Sequence, residues 1–317
     1  MTHGRQLILL VVLAVFCEAA VAKSLAISLD DSPRHARGYF DGNTRASELI
    51  SEIKRHNIPQ VAFFSVGQHV HGEGRTRLMR YAEAGHVIAN HTHTHADFNR
   101  TSLKDYITEF EQAESILKGF PNYRKWFRFP YLREGNTEAK RDGMRSYLEQ
   151  KGYLNAYITL NNYDWYLENL FQQAVADNQP VDFEALGNLY VSLIVEGIEF
   201  YDVLAVKYLG RSPKHVLLLH EMDITALYLG DLVDALRNKG WTILPVADAF
   251  DDAIADYQAE RVFKYNPGRV GEIAYSKGQK KGLWHHSLDE SYIKARFDNE
   301  VLIPKASNAK PNSSTSP

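Results

Sequence analysis

The stretch SLAISLDD, residues 24–31, alternates apolar and small side chains before it ends in two aspartates. Apolar residues occupy every second position from Leu25 to Leu29, which is the spacing of side chains on one face of a β-strand. A helical pattern, TRASELISEIKRHN, follows at residues 44–57, and a second strand pattern, QVAFFSVG, follows at residues 60–67. The stretch therefore predicts the first strand of an α/β fold.

The same order of strand and helix repeats along the chain. Predicted strands cover residues 24–31, 60–67, 86–90, 126–129, 154–160, 214–220 and 241–246. Predicted helices between them cover residues 44–57, 75–84, 102–118, 137–151 and 225–238. Strands that alternate with helices form a mostly parallel sheet, and the apolar run HVLLL indicates strands that are covered on both faces. We expect a distorted (β/α)7-8 barrel, with an open doubly wound sheet as the alternative.

One connection, between the fifth and sixth strands, is too long to be a simple loop. It contains two helical patterns and predicts a helical insertion at about residues 166–211. This insertion interrupts a main domain that we place at residues 23–255. A less regular extension follows at residues 256–304, and the polar segment at residues 305–317 predicts a disordered tail.

The first 22 residues have the pattern of a cleaved secretory signal. Arg5 precedes an apolar run from Leu7 to Phe16, and Ala20-Val21-Ala22 matches a cleavage site. The run is too short for a membrane anchor, and lipid modification of Cys17 is the minor alternative. We therefore expect export to the periplasm or the medium, with no stable membrane insertion after cleavage. Because Cys17 is the only cysteine, a metal site in the mature chain must use His, Asp and Glu.

Composition narrows the class of partner. The 317 residues are 44% hydrophobic and 24% charged, which is typical of a globular protein. The net charge is −3 and no long block of Lys and Arg occurs, which argues against nucleic acid or an anionic membrane surface as the main partner. A small or neutral polymeric substrate fits this charge better. The oligomeric state does not follow from the sequence.

Ionisable and aromatic residues follow five of the predicted strands. They are Asp30 and Asp31, then His91, His93 and His95, then Arg128 and Tyr131, then Asp164 and Trp165, and finally His220. Each alone has an ordinary structural explanation, such as a helix N-cap, a surface ion pair or a turn. In a parallel α/β fold, however, the carboxyl ends of the strands meet at one edge, where active sites lie. Together these residues predict a functional site.

The spacing of the histidines suggests a metal. His91 and His95 stand four residues apart, so a helical turn or a tight loop brings both imidazoles to one ion, and an aspartate from another strand supplies a third ligand. Three protein ligands leave positions open for water and substrate, as in a catalytic site. A second carboxylate beside the ligands would accept a proton from water.

With these residues in view, the chain resembles the polysaccharide deacetylases of carbohydrate esterase family 4. Five motifs occur in the family's order between about Ser24 and Ala255. They are SLDD at residues 28–31, HTHTH at residues 91–95, RFPY at residues 128–131, DW at residues 164–165, and LH at residues 219–220. Five ordered matches are specific, whereas any single one is not.

The resemblance implies a role for each matched residue. Asp31, His91 and His95 would bind the metal, and Asp30 would be the general base. His220 would be the general acid. Arg128 would orient Asp30, and Asp164 would orient His220. The Tyr131 N–H would stabilise the oxyanion, Trp165 and Leu219 would line the acetyl pocket, and His93 occupies a variable position.

The implied activity is metal-dependent removal of N-acetyl groups from a polysaccharide that contains N-acetylglucosamine (GlcNAc), most favourably peptidoglycan. A chitooligosaccharide or exopolysaccharide deacetylase, an O-acetyl esterase and a noncatalytic glycan-binding module remain alternatives. The ligand set suits zinc, and cobalt, nickel or manganese are compatible with it. Two departures from the family pattern, Phe129 and the long insertion, bear on substrate recognition. The Trp284-His285-His286 sequence has no counterpart in the five motifs.

Overall fold

The computed structural model describes residues 23–304, so the predicted signal and the predicted disordered tail lie outside the described residues. A parallel sheet of seven strands forms the centre of the described part. The strands are β1 (Ser24–Ser32), β2 (Ala62–Ser65), β3 (Val87–Asn90), β4 (Tyr123–Phe127), β5 (Leu154–Asn155), β6 (Lys214–His220) and β7 (Thr242–Ile243). The predicted α/β class and the predicted number of strands are confirmed.

The sheet runs in the order β5-β4-β3-β2-β1-β6, and β7 pairs with the start of β1. The segment at residues 154–160 closes it into a distorted barrel. Its first half pairs with β4, where the Ala156 N–H donates to the Phe127 carbonyl (2.8 Å), and its second half reaches β6 through a parallel bridge from Leu160 to Leu217. The prediction of one continuous strand over these residues is wrong, because the segment must cross from one barrel wall to the other.

Helices cover the outside of the sheet. They are α1 (Gly42–Arg55), α2 (Gly72–Glu83), α3 (Leu103–Leu117), α4 (Glu138–Lys151), α5 (Asp164–Ala176), α6 (Phe183–Leu209), α7 (Asp223–Asn238), α8 (Val246–Ala249), α9 (Gly268–Ser276) and α10 (Glu290–Arg296). Asp41, Ser102 and Thr137 cap the N-termini of α1, α3 and α4 with their side chains. Within residues 23–304, no helix combines the length and the apolar character that crossing a bilayer requires.

The predicted helical insertion consists of α5 and α6. These helices pack against α7 and against the C-terminal segment, residues 256–304. α6 is 27 residues long and buries a row of apolar residues. Gly187 allows close approach to α7, because a Cβ at this position would lie 2.7 Å from the ring of Tyr228. The two predicted helices of the insertion are therefore confirmed, and they serve as a packed wall of the molecule.

The core fixes the edge where the predicted site residues lie. β1 is almost wholly buried, and its register with β6 places Asp30 opposite His220. A separate aromatic cluster lies between α3, α4 and β4, next to the loop that carries the histidines. Its main members are Phe98, Tyr106, Phe110, Phe127 and Phe129. The carboxyl ends of the strands are therefore packed against the main core on one side and against this aromatic cluster on the other.

Candidate active site

Two adjacent carboxylates at the end of β1 face the same side of the barrel. In a regular strand, Asp30 and Asp31 would point to opposite faces. Asp31 instead has a φ of 65°, and the β1–β2 register is interrupted between Leu29 and Ser32. A positive φ is unfavourable for a non-glycine residue, so the surrounding contacts must hold it. This local turn brings both carboxylates to the mouth of the barrel.

The loop after β3 brings His91 and His95 together. Thr92 (φ 66°) and His95 (φ 59°) both adopt left-handed conformations, and the Thr92 N–H donates to Oδ1 of Asn90 (2.9 Å). The two imidazole rings lie with their centroids 5.0 Å apart. Of the two arrangements that the spacing allowed, the structure therefore has the tight loop.

Asp31, His91 and His95 form what we call the barrel-mouth group. Their ligand atoms lie within 4.8 Å of one another, with Nε2 of His95 3.1 Å and Nε2 of His91 3.6 Å from Oδ1 of Asp31. Nδ1 of His91 lies 2.7 Å from the Arg128 carbonyl, which only accepts, so Nδ1 carries the proton. Nε2 is then unprotonated, and its lone pair is free to bind a metal ion on the side of Asp31.

The barrel-mouth group fits a divalent cation. Oδ1 of Asp31 is buried and receives no hydrogen bond of acceptable geometry. Burial raises the pKa of Asp31, but contact with His95 and the charges of His220 and Arg34 hold that pKa well below its ordinary value. Burial and the charge of His95 hold the pKa of His91 well below its ordinary value. An ionised carboxylate beside a neutral imidazole is the donor set that zinc and similar ions bind.

Asp30 is held beside this group by Arg128. Nη1 of Arg128 donates to Oδ1 of Asp30 (3.0 Å), and Nη2 donates to the Ser28 hydroxyl (3.2 Å). Arg128 is 1% exposed and also stacks over the ring of Phe64 at 4.1 Å. Burial raises the pKa of Asp30 to about 6, although the charges of Arg128 and His220 oppose the shift. The carboxylate is therefore ionised at neutral pH and still basic enough to accept a proton.

His220 has a carboxylate partner of its own. Oδ1 of Asp164 lies 2.8 Å from Nδ1 of His220, and Oδ2 of Asp164 accepts from the His220 N–H (2.9 Å). Burial lowers the pKa of His220, but the charge and hydrogen bond of Asp164 outweigh it and raise that pKa to about 9. The imidazole is therefore a cation at neutral pH and can donate a proton from Nε2. Both pKa values are raised, yet at neutral pH Asp30 is ionised and His220 is protonated, so a base and an acid flank the barrel-mouth group.

The remaining predicted residues lie at different depths. Tyr131 (φ 57°) packs its ring against His95, with centroids 4.5 Å apart, so this ring lies beside the barrel-mouth group. Trp165 is half-buried at the start of α5 and packs against Tyr163. Leu219 is fully buried and exposes no surface to the site. His93 lies against Gly67, outside the barrel-mouth group.

Sequence reasoning missed a buried ionic network behind Asp31. Oε2 of Glu221 accepts from the Ser32 hydroxyl (2.8 Å) and from the Arg34 N–H (2.9 Å), and its N–H donates to the Asp30 carbonyl (3.2 Å). Glu221 thus holds the backbone on both sides of the strained Asp31. Oε1 of Glu221 accepts hydrogen bonds from Nη1 of Arg77 and from the Tyr81 hydroxyl, each at 3.0 Å.

A signal for this network exists in the sequence. Arg45 shares the buried face of α1 with the apolar residues Ala46, Leu49 and Ile53. A basic residue on a buried face needs a buried acidic partner. Arg45 is fully buried and contacts Glu221 (3.4 Å).

Comparison with known proteins finds sequence similarity to deacetylases that act on polysaccharides. Residues 18–154 match the family model described as polysaccharide deacetylase. The chain is 21% identical over 233 residues to a bifunctional xylanase/deacetylase of Pseudobutyrivibrio xylanivorans (72% of this chain, 31% of that protein). It is 24% identical over 220 residues to a chitin deacetylase of Colletotrichum lindemuthianum (68% of this chain, 78% of that protein). It is 29% identical over 85 residues to a peptidoglycan-N-acetylglucosamine deacetylase of Bacillus cereus (26% of this chain, 30% of that protein).

The resemblance to polysaccharide deacetylases that the five motifs predicted is thereby confirmed. The chain spans less than a third of the xylanase/deacetylase and of the Bacillus cereus protein. The similarity to the chitin deacetylase extends over most of both chains.

Proposed function

We propose that this chain is a metal-dependent hydrolase that removes N-acetyl groups from a GlcNAc-containing polysaccharide and releases acetate. The observation that carries the proposal is the placement of Asp30 and His220. They stand opposite each other on paired strands, beside the barrel-mouth group, each with its own charged partner. An amide hydrolase needs a base for the attacking water and an acid for the departing amine.

Each residue of the site has its own role in the proposed reaction. Asp30 accepts a proton from the water that attacks the acetyl carbonyl, and Arg128 keeps its carboxylate in position. His220 donates a proton to the departing sugar nitrogen, and Asp164 keeps its ring oriented. A divalent ion held by Asp31, His91 and His95 would polarise the acetyl carbonyl and lower the pKa of water.

In our proposal the acetyl pocket lies between the base, Asp30, and the acid, His220. The Tyr131 N–H supports the developing oxyanion from beside His95. Trp165 covers the acetyl group from the start of α5, and Leu219 supports the pocket from within the core. Zinc is the first choice of ion, and cobalt, nickel or manganese would suit the same ligands.

Peptidoglycan is our first choice of substrate. Two of the relatives are named as deacetylases of chitin and of peptidoglycan, which share the GlcNAc unit, and a third is named as a bifunctional xylanase/deacetylase. The predicted signal at residues 1–22 supports export, which would place the enzyme with a cell-envelope glycan. Chitooligosaccharides and exopolysaccharides follow as substrates.

The test is acetate release by the mature protein, stripped of metal and then reconstituted with zinc. The substrates are intact peptidoglycan, chitooligosaccharides and acetylated xylan. Zinc-dependent release from a GlcNAc substrate would support the proposal and select the polymer. Release from xylan alone would reassign the chain as an O-acetyl esterase, and no release with metal bound would favour a noncatalytic glycan-binding module.

A further inference from the structure

A second group of two histidines and one carboxylate shares no residue with the barrel-mouth group. Glu196 of α6 meets His285 and His286 of the C-terminal segment, and their ligand atoms lie within 4.8 Å of one another. Nε2 of His286 is 3.8 Å from Oε2 of Glu196, and the two imidazole rings are 3.8 Å apart between centroids. We call these three residues the α6 group.

The backbone holds the α6 group in place. His285 caps a short 3-10 turn, His286–Leu288, and both Leu283 and Leu288 are buried in the core. The turn touches α6 next to Glu196, because a Cβ on Gly197 would lie 3.3 Å from the Ser287 hydroxyl. The histidines therefore project from a turn that is anchored on both sides.

The ligand atoms of the α6 group are available to a cation. Oε2 of Glu196 is buried and has no hydrogen-bond partner. Arg296 is the nearest opposing charge, but it approaches the other oxygen, Oε1, at 3.7 Å, and its guanidinium is already paired with Glu300 at 2.6 and 2.9 Å. Nδ1 of His285 accepts from the Ser287 N–H (3.2 Å) in this structure. A metal at Nε2 would move the ring proton to Nδ1, which would then donate to the Ser287 hydroxyl, 3.0 Å away.

The side chain of His286 is 58% exposed, so an ion in solution can reach the α6 group. An unpaired carboxylate oxygen beside two imidazoles is a donor set for a divalent transition metal.

We propose that the α6 group binds a second zinc ion, or a similar divalent transition metal, which joins the C-terminal segment to the insertion helix α6. The ion satisfies the buried Glu196 oxygen and fixes the turn at residues 286–288 against the helix. Three protein ligands leave one position to solvent. This site is separate from the barrel-mouth group and takes no part in the proposed hydrolysis.

The experiment measures zinc bound per chain by equilibrium dialysis in excess zinc. The full chain carrying His91→Ala and His95→Ala lacks two ligands of the barrel-mouth group and is expected to retain one equivalent of zinc. Adding His286→Ala, or Glu196→Gln, should remove that equivalent. His71→Ala is the matched control, because His71 is exposed and lies outside both groups.

A second readout follows stability. Zinc should raise the Tm of the His91→Ala/His95→Ala chain and leave the Tm unchanged once His286→Ala is added. If the double variant does not fold, the unmodified chain should bind two equivalents and its His286→Ala variant one. Equal zinc content in the His286→Ala and His71→Ala variants would overturn the proposal.

Discussion

The barrel-mouth group and the α6 group contain the same kinds of side chain in different surroundings. Beside the first stand Asp30, with a pKa of about 6, and His220, with a pKa of about 9. Beside the second stands Arg296, already paired with Glu300. The ligands decide whether an ion binds, whereas a base and an acid on either side decide whether the ion takes part in hydrolysis. We therefore propose a catalytic role for the first group and attachment of the C-terminal segment as the role of the second.

The most severe test of this comparison removes a ligand from the barrel-mouth group. His91→Ala should abolish acetate release and remove the ion of that group, because two remaining ligands hold a divalent ion poorly. Metal content and acetate release, measured on the same preparation, check this result. Retention of the full metal content with activity lost would mean that His91 acts in catalysis and does not bind metal.

Changing the proposed base should separate metal binding from catalysis. Asp30→Asn should lower the rate of acetate release by about 10²–10⁴-fold while the metal content stays the same, because the amide cannot accept the proton of the attacking water. Rate and metal content of the variant are compared with those of the unmodified chain. Full activity with metal retained would show that Asp30 is not the base.

The network behind Asp31 should support the site through stability and geometry. Glu221→Gln removes the negative charge that faces Arg45 and Arg77, and loss of one partner from a buried ion pair typically costs about 3–5 kcal/mol. The free energy of unfolding, measured with denaturant, should fall by that order. The affinity of the barrel-mouth group for zinc should also fall, because Glu221 holds the backbone around Asp31. Unchanged zinc affinity would limit Glu221 to a role in stability.

The pH dependence of the rate tests the proposed acid. His220 must be protonated to donate, so the rate should fall as the pH rises through about 9, the pKa that burial lowers and Asp164, Asp31 and Asp30 raise. Asp164→Asn removes the strongest raising influence and should move this alkaline limb toward the ordinary histidine pKa of about 6.5. If the alkaline limb of Asp164→Asn stays at the pH of the unmodified chain, this limb reports the titration of a group other than His220.

The smallest effect is expected at the α6 group. His286→Ala should leave the rate of acetate release on the preferred glycan unchanged, because the group lies outside the proposed acid–base machinery. Initial rates at saturating zinc, with His71→Ala as the control, check this expectation. A loss of activity specific to His286→Ala would show that the C-terminal segment contributes to the active site.

Much of the barrel could be predicted because its signals are local. Alternation from Leu25 to Leu29 marks β1, and the spacing of His91 and His95 predicts their convergence, since neighbours in the chain determine both patterns. The segment at residues 154–160 could not be predicted correctly. Its division between β4 and β6 depends on how the barrel closes, which strand periodicity does not report.

The sequence by itself determined the order of strands and helices, the polar residues that end the strands, and the chemistry that those residues can perform. Only the tertiary structure decided that Arg128 meets Asp30 across 98 positions of the chain, and that a left-handed Asp31 turns both carboxylates to one side. It also brought Glu196 to His285 and His286. The physical reason is that periodicity is set by adjacent residues, whereas these contacts depend on strand register and on helix packing.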